Sequence, residues 1–60
     1  MGINDPTPTA LAHRDAADTL CKYRHPRHAF RHAKRVASRY RLGSPKRRHW
    51  LAVAAIINPA

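Results

Sequence analysis

An amphipathic stretch from His25 to Leu42 constrains the fold of this 60-residue chain more than any other part of the sequence. At about 3.6 residues per turn of an α-helix, its apolar residues fall on one side and its cations on the other sides. We therefore expect a helix with one face on a core and the opposite face toward solvent or an anionic partner. The apolar side consists of Ala29, Phe30, Ala33, Val36, Ala37 and Tyr40.

A first helix is expected from about residue 10 to residue 23 or 24, with Thr7 or Thr9 as its cap. Pro26 separates it from the second helix, because proline disfavours helical geometry at His25 and suits the first turn of a new helix. The connection is short, so the two helices are expected to be neighbours in space. The predicted inner stripe of the first helix consists of Ala16, Ala17, Leu20 and Cys21.

Gly43 is expected to end the second helix after Arg41 or Leu42, because glycine readily takes the left-handed conformation of a helix C-cap. Ser44 and Pro45 then have the residue types of an N-cap and a first-turn proline, and they predict a third helix that stops at residues 58–59. The predicted fold class is all-α, a small three-helix unit with an irregular N-terminal arm. The arm covers residues 1–9 and the single domain covers residues 10–58.

The charge of the chain is segregated along its length. Twelve lysines and arginines outweigh three aspartates, which gives a formal net charge of +9. All three acids precede position 20, whereas eleven of the twelve cations lie between Lys22 and Arg48. Such a field repels itself unless an anion screens it, so it favours nucleic acid, either DNA or RNA, or an acidic surface as the partner. The residues predicted to bind nucleic acid are Arg27, Arg31, Lys34, Arg35, Arg39, Arg41, Lys46, Arg47 and Arg48.

Arginine outnumbers lysine by nine to three. The planar guanidinium group makes bidentate contacts with phosphate and stacks on exposed bases, which a lysine ammonium does not do. Because RNA presents unstacked bases in its loops, this bias makes RNA as plausible a partner as duplex DNA.

The residues around the second turn follow an ordered pattern. A small residue, Ala37, precedes two apolar residues before the turn, Tyr40 and Leu42; the Ser44-Pro45 pair then begins a helix that Trp50-Leu51 anchors. This pattern over residues 36–51 resembles a helix-turn-helix DNA-binding module of small repressors and transposases. Arg41 and Arg47 differ from the family, which has its turn glycine and an inward aliphatic residue there. The resemblance implies a recognition helix whose N-terminal end reads base edges through Lys46, Arg47, Arg48 and His49.

The third helix is apolar on all sides after Trp50. A helix of this kind must be buried, and a domain of this size has little interior with which to bury every side. We therefore expect part of it to contact a second copy of the chain or another protein. The predicted contact residues are Trp50, Leu51, Val53, Ile56 and Ile57.

Four residues, Cys21, His25, His28 and His32, are of types that bind zinc. The spacing between the two pairs is much shorter than in a zinc finger, and Pro26 intervenes. The favoured interpretation is that the histidines flank the arginines and contact phosphate or solvent, so no metal site and no cofactor are predicted. A single cysteine excludes an internal disulfide and fits a reducing compartment.

The sequence favours neither a membrane protein nor an enzyme. Its longest apolar run falls far short of the roughly 20 residues that span a bilayer, and residues 1–10 lack the features of a secretory signal. We therefore expect the cytoplasm, or a particle assembled there. On the first helix, the acids Asp15 and Asp18 lie near His13. Acids in the first turns of a helix ordinarily interact with the helix dipole, so we do not interpret these three residues as a catalytic site.

The leading prediction is a small basic nucleic-acid-binding protein that contacts phosphates through helix two and the start of helix three. Two alternatives belong to other classes. One is a structural subunit of a nucleic-acid-containing assembly, such as a ribosome or virus particle, and the other is a phage-type inhibitor that binds a protein partner.

Overall fold

The computed structural model describes residues 8–58 of the chain. Its three α-helices are α1 (Pro8–Tyr23), α2 (Pro26–Ser38) and α3 (Pro45–Ile57), and these residues include no strand. The all-α prediction and the three-helix order are confirmed. Most of the predicted arm, including Thr7, lies outside the described residues, whereas Thr9 belongs to α1.

The break between α1 and α2 lies at Arg24 and His25, where the sequence predicts it. Arg24 takes a left-handed conformation with φ of 64°, and its backbone N–H donates to the Leu20 carbonyl over 2.7 Å. His25 is extended, with φ of −104° and ψ of 122°, as the following Pro26 requires. A non-glycine residue at positive φ is unfavourable, and here a second backbone hydrogen bond, from the His25 N–H to the Tyr23 carbonyl over 2.6 Å, closes the turn around Arg24.

Helix α1 buries a different stripe from the predicted one. Ala12, Ala16 and Thr19 are buried, whereas Ala17 and Cys21 are exposed, so the prediction for these last two residues was wrong. Helical periodicity alone left two adjacent rows of small residues to choose from, and packing selects the row that contains Ala12. Thr19 is tolerated in this row because its hydroxyl donates to the Asp15 carbonyl over 2.7 Å.

Small side chains form the core. Ala29, Ala33 and Ala37 follow one another at one-turn spacing along α2 and are at most 1% exposed. Helix α2 packs mainly against α3, and α1 covers α3 more than it covers α2. The largest side chain that is fully buried is Val53. The core-facing side predicted for α2 is confirmed, with Phe30, Val36 and Tyr40 half-buried along its margin.

Helix α2 ends at Ser38, earlier than the predicted end at residue 41 or 42. The Ser38 hydroxyl donates to the Arg35 carbonyl over 2.7 Å and so competes with the helical hydrogen bonds. The N–H groups of Arg39 and Tyr40 then bond to carbonyls three residues back, each over 3.1 Å. This tighter pattern closes the last turn and stops the helix.

Gly43 lies in the turn before α3 and does not cap α2. Its φ of 84° confirms the predicted left-handed conformation, and the Ser44 N–H closes the turn on the Arg41 carbonyl over 2.9 Å. Ser44 is the N-cap of α3 as predicted, since its hydroxyl accepts the Arg47 N–H over 3.2 Å. The turn therefore fixes where α3 starts relative to the end of α2.

Candidate nucleic-acid interface

The outer face of α2 carries four of the predicted cations. Arg27, Arg31, Lys34 and Arg35 are all exposed and lie away from the buried alanine row. Their positions follow from the period of the helix, because residues three or four apart share a face. One exposed surface therefore presents four positive charges over the length of a 13-residue helix.

Further predicted cations extend this surface past the end of α2. Arg39 and Arg41 are exposed in the connection, and Lys46 and Arg48 are exposed in the first turn of α3. The Lys46 ammonium lies 5.6 Å from the centre of the Tyr40 ring, within the range of a cation–π contact. This contact joins the start of α3 to the connection that follows α2. We use the name basic surface for these eight exposed residues, namely Arg27, Arg31, Lys34, Arg35, Arg39, Arg41, Lys46 and Arg48.

Arg47 differs from the other predicted cations because its side chain is half-buried. Its guanidinium donates from Nη1 to the Tyr40 carbonyl over 3.1 Å. Its Nε is buried without a hydrogen-bond partner among the described residues. Arg47 thus occupies the inward position where the helix-turn-helix pattern has an aliphatic residue, and it ties α3 to the connection. A phosphate contact by Arg47 would compete with this internal bond.

The basic surface has no carboxylate partners within the part of the chain that is described. The ion pair formed there joins Asp15 Oδ2 of α1 to His49 Nε2 of α3 over 2.5 Å. Within residues 8–58, no lysine or arginine is paired with an acid of the same range, so no described carboxylate competes with an external anion for this surface. His49, which the resemblance places near base edges, is instead held against α1.

His32 lies where all three helices meet. Its Nδ1 is 2.9 Å from the Tyr23 hydroxyl of α1, and its ring meets the Trp50 ring of α3 edge-on at 6.2 Å. Burial lowers the pKa of His32 below the ordinary value of about 6.5, and the positive charges of Lys22, Arg35 and Arg39 lower it further. The ring is therefore held in its neutral form by its surroundings.

The zinc-type residues do not assemble into a metal site. Cys21 is exposed, and His32 is bonded to a tyrosine instead of to the other histidines. The rings of His25 and His28 do lie together, with centroids 5.3 Å apart. Within residues 8–58, no group of three or more histidine, cysteine or acidic side chains is arranged to hold a metal ion.

The predicted contact surface on α3 requires a correction. Val53 and Ile57 are buried in the core, at 0% and 8% exposure, because α3 turns this row toward the buried alanines of α2. Trp50 is half-buried and packs on the same core. Leu51 and Ile56 are the two predicted contact residues that reach the surface, at 38% and 37% exposure.

Two exposed leucines were not among the predicted contact residues. Leu11 is 37% exposed on α1, and Leu42 is 80% exposed in the connection between α2 and α3. The position of Leu11 off the apolar stripe of α1 was a usable signal. Leu42 gave no such signal, because the sequence predicts a helix there and the pattern of the resemblance makes it an apolar anchor.

Comparison of the chain with family models, with curated proteins and with solved structures found no match. Across residues 8–58, none of the three helices combines the length and the apolar character needed to span a membrane. The functional argument therefore depends on the geometry and charge of the chain itself.

Proposed function

We propose that this chain is a small nucleic-acid-binding protein that contacts phosphates through α2 and the start of α3. One observation carries the proposal: eight of the nine predicted cations are exposed on α2, the connection and the first turn of α3, and none is paired with a carboxylate among the described residues. An arrangement of this kind repels itself in the free protein and is relieved by a polyanion.

Each phosphate that the basic surface neutralises releases condensed counterions from the nucleic acid. The logarithm of the binding constant then falls with the logarithm of salt concentration, by about 0.9 per phosphate on duplex DNA and about 0.7 on a single strand. If half of the eight residues act together, the expected slope on duplex DNA is about −3.6. The arginines on this surface add bidentate geometry to the charge.

For the finer assignment, Lys46 and Arg48 are the residues we propose to approach base edges or backbone from the start of α3. Both are exposed. Lys46 contacts the Tyr40 ring and Arg48 Nη2 donates to the Gly43 carbonyl over 3.4 Å at the surface, whereas the side chains of Arg47 and His49 on the same turn are half-buried and bonded internally. A helix-turn-helix function on DNA would thus rely on two side chains for direct contact. The protein would act in the cytoplasm or inside a particle assembled there.

Fluorescence anisotropy with a labelled DNA duplex and a labelled RNA hairpin, each over a salt series, tests this function. We expect binding to both at low salt and a negative slope of several units for the duplex. Absence of binding to both, or binding with no salt dependence, would overturn the proposal. A preference for the hairpin that persists at high salt would assign the function to RNA.

The exposure of Leu42 favours a second candidate, a subunit of a nucleic-acid-containing assembly. A leucine that is 80% exposed beside the cations Arg39 and Arg41 offers an apolar contact next to the phosphate contacts. Gradient sedimentation of a native lysate tests it, with Leu42→Ser as the variant. The second candidate predicts that Leu42→Ser abolishes migration with a large particle and leaves binding to free duplex unchanged; migration of the unaltered chain as a free protein contradicts it.

A further inference from the structure

A groove of about 230 Å³ lies between the end of α1 and the outer side of α2. Five residues line it: Tyr23, His28, Arg31, His32 and Arg35. None is acidic, and every one carries a group that donates a hydrogen bond in at least one protonation state. The volume is below the roughly 300 to 1,000 Å³ typical of pockets for small-molecule ligands, so it suits one phosphate group better than a whole cofactor.

The helix period explains why these donors converge. His28, Arg31, His32 and Arg35 occupy positions i, i+3, i+4 and i+7 of α2, which place four side chains along one stripe. The two guanidinium groups come from consecutive turns, and so do the two imidazole rings. A tetrahedral oxyanion is matched by donors that reach it from several directions.

Tyr23 and Trp50 hold His32 in a fixed position beside the two arginines. The Tyr23 and His32 rings lie with centroids 4.8 Å apart at a tilt of 34°, in addition to the 2.9 Å contact between the tyrosine hydroxyl and Nδ1. Nε2 makes no hydrogen bond to the described residues, so it is the ring nitrogen left for a ligand. When the tyrosine hydroxyl donates to Nδ1, the neutral ring carries its proton on Nε2, which then donates outward.

We propose that this groove is a phosphate subsite in which Arg31, Arg35 and His32 bind one phosphate of the nucleic acid. The subsite adds a specific phosphate contact to the proposed function. It rests on that function, because the nucleic acid is the source of the phosphate. It assigns a ligand-binding role to His32, which lies outside the basic surface, and a positioning role to Tyr23, which orients the His32 ring. The chemistry required is a phosphate oxyanion, whether as a backbone diester or as a monoester.

Occupancy of the subsite has a proton-linked consequence. The groups around His32 are Lys22 and Tyr23 from α1, Arg35 from α2, Arg39 from the connection after α2 and the uncharged Trp50 from α3, whose ring centroid is 5.5 Å from that of His49; His28 and Arg31 of α2 line the same groove. Burial lowers the pKa of His32, and the positive charges of Lys22, Arg35 and Arg39 lower it further. A bound phosphate brings negative charge to the same place, so it raises that pKa, and binding tightens as pH falls.

Histidine-ring NMR over a pH series tests the subsite, with a thymidine dinucleotide as the phosphodiester and thymidine alone as the control for the base. Ionic strength is matched with sodium chloride, and the exposed His13 of α1 serves as an internal reference. The dinucleotide is expected to raise the pKa of His32 by more than that of His13, and thymidine is expected to leave both unchanged. An equal shift of the two histidines, or no shift, would overturn the subsite.

A matched pair of variants separates a seated phosphate from general attraction. Arg35→Gln removes a groove residue, and Arg14→Gln removes an exposed charge on α1. Arg35→Gln is expected to weaken dinucleotide binding about fivefold, and Arg14→Gln is expected to leave it unchanged. Equal effects of the two variants would contradict a defined subsite. Replacing the dinucleotide by thymidine monophosphate distinguishes the two phosphate sources, since the stronger ligand identifies diester or monoester.

These experiments test the subsite and the nucleic-acid function separately, so one proposal can be contradicted while the other is supported. A pKa shift of His32 with the dinucleotide, combined with no binding of any duplex or hairpin, supports the subsite and contradicts the nucleic-acid proposal. Salt-dependent duplex binding without a shift of His32 supports the nucleic-acid proposal and contradicts the subsite.

Discussion

Two neighbouring alanines on α1, Ala16 and Ala17, give a sharp test of how this small domain packs. Ala16 is 2% exposed and belongs to the core, whereas Ala17 is exposed. The perturbation is Ala16→Leu in one variant and Ala17→Leu in the other. Both alanines lie well inside the same helix, and leucine is a good helix former, so intrinsic helix propensity barely separates the two variants.

The expected magnitudes follow from the space at each site. Extra carbons at Ala16 must displace packed neighbours, and such overpacking costs about 1 to 3 kcal/mol. At Ala17 they extend into solvent, where a substitution changes stability by at most about 0.5 kcal/mol. A domain of this length has a free energy of unfolding of roughly 3 to 9 kcal/mol. A loss of about 2 kcal/mol at Ala16 is therefore a large fraction and lowers Tm by roughly 8 to 16 °C.

Urea and thermal unfolding, followed by far-ultraviolet circular dichroism, measure both variants against the unaltered chain. We expect Ala16→Leu to lose stability and Ala17→Leu to retain it. The reverse result would show that α1 is rotated by one residue about its axis, and losses in both variants would instead support the inner stripe that the sequence alone predicts, which contains both alanines. Equal and small effects would show that α1 does not pack tightly in solution.

Three further predictions follow from the same contacts. Val53→Ala removes two buried carbons and is expected to cost about 2 kcal/mol in urea unfolding, whereas Ile56→Ala at the surface costs less than half of that; equal costs would contradict the core assignment. Arg47→Gln is expected to lower the free energy of unfolding by about 1 kcal/mol, because it loses a part-buried hydrogen bond to the Tyr40 carbonyl, whereas Arg48→Gln, which loses an exposed bond of 3.4 Å to the Gly43 carbonyl, should change stability by less and weaken duplex binding more. The pKa of His32 is lower in the folded chain than its ordinary value of about 6.5 in the unfolded chain. Below about pH 6.5 the unfolded chain therefore takes up a proton more readily than the folded chain does. The free energy of unfolding consequently falls as pH drops from that value toward the lower pKa of the folded chain. Unfolding of His32→Gln over the same pH range should show a shallower fall, and an unchanged fall would refute this linkage.

Local signals on α2 and in the turns were strong enough to predict much of the fold. Pro26 marked the start of α2, and Ser44 with Pro45 marked the start of α3, because capping and proline geometry depend only on neighbouring residues. The apolar face of α2 was equally clear from the sequence, because the cations occupy the other sides of the helix and leave a single side for the core.

The errors arose where tertiary packing chooses between locally equivalent options. On α1, rows of small residues lie side by side, and packing against α2 and α3 decides that Ala12 faces inward and Ala17 outward. On α3, the uniform apolar sequence hid which residues α2 covers, so Val53 was placed at the surface. At the end of α2, the Ser38 hydroxyl bonds to the Arg35 carbonyl, a local contact that helical periodicity does not predict.

The sequence predicted the charged residues of the candidate site, but not the contacts that residues of the site make within the fold. Exposure of the arginines follows from helix period and composition. The internal bond of Arg47 and the contact between Tyr23 and His32 join residues from different elements, so they required the assembled fold.

The most direct test of the account is the salt dependence of duplex binding for two charge-matched double variants. Arg31→Gln/Arg48→Gln removes one cation from α2 and one from α3 within the basic surface, whereas Arg14→Gln/Arg24→Gln removes two exposed cations outside it. If both parts of the surface contact phosphates together, the first variant makes the slope shallower by about 1.8, and the second leaves it within error of the unaltered chain. Equal changes in the two slopes would show that net charge alone attracts nucleic acid and would contradict a binding surface on α2 and α3.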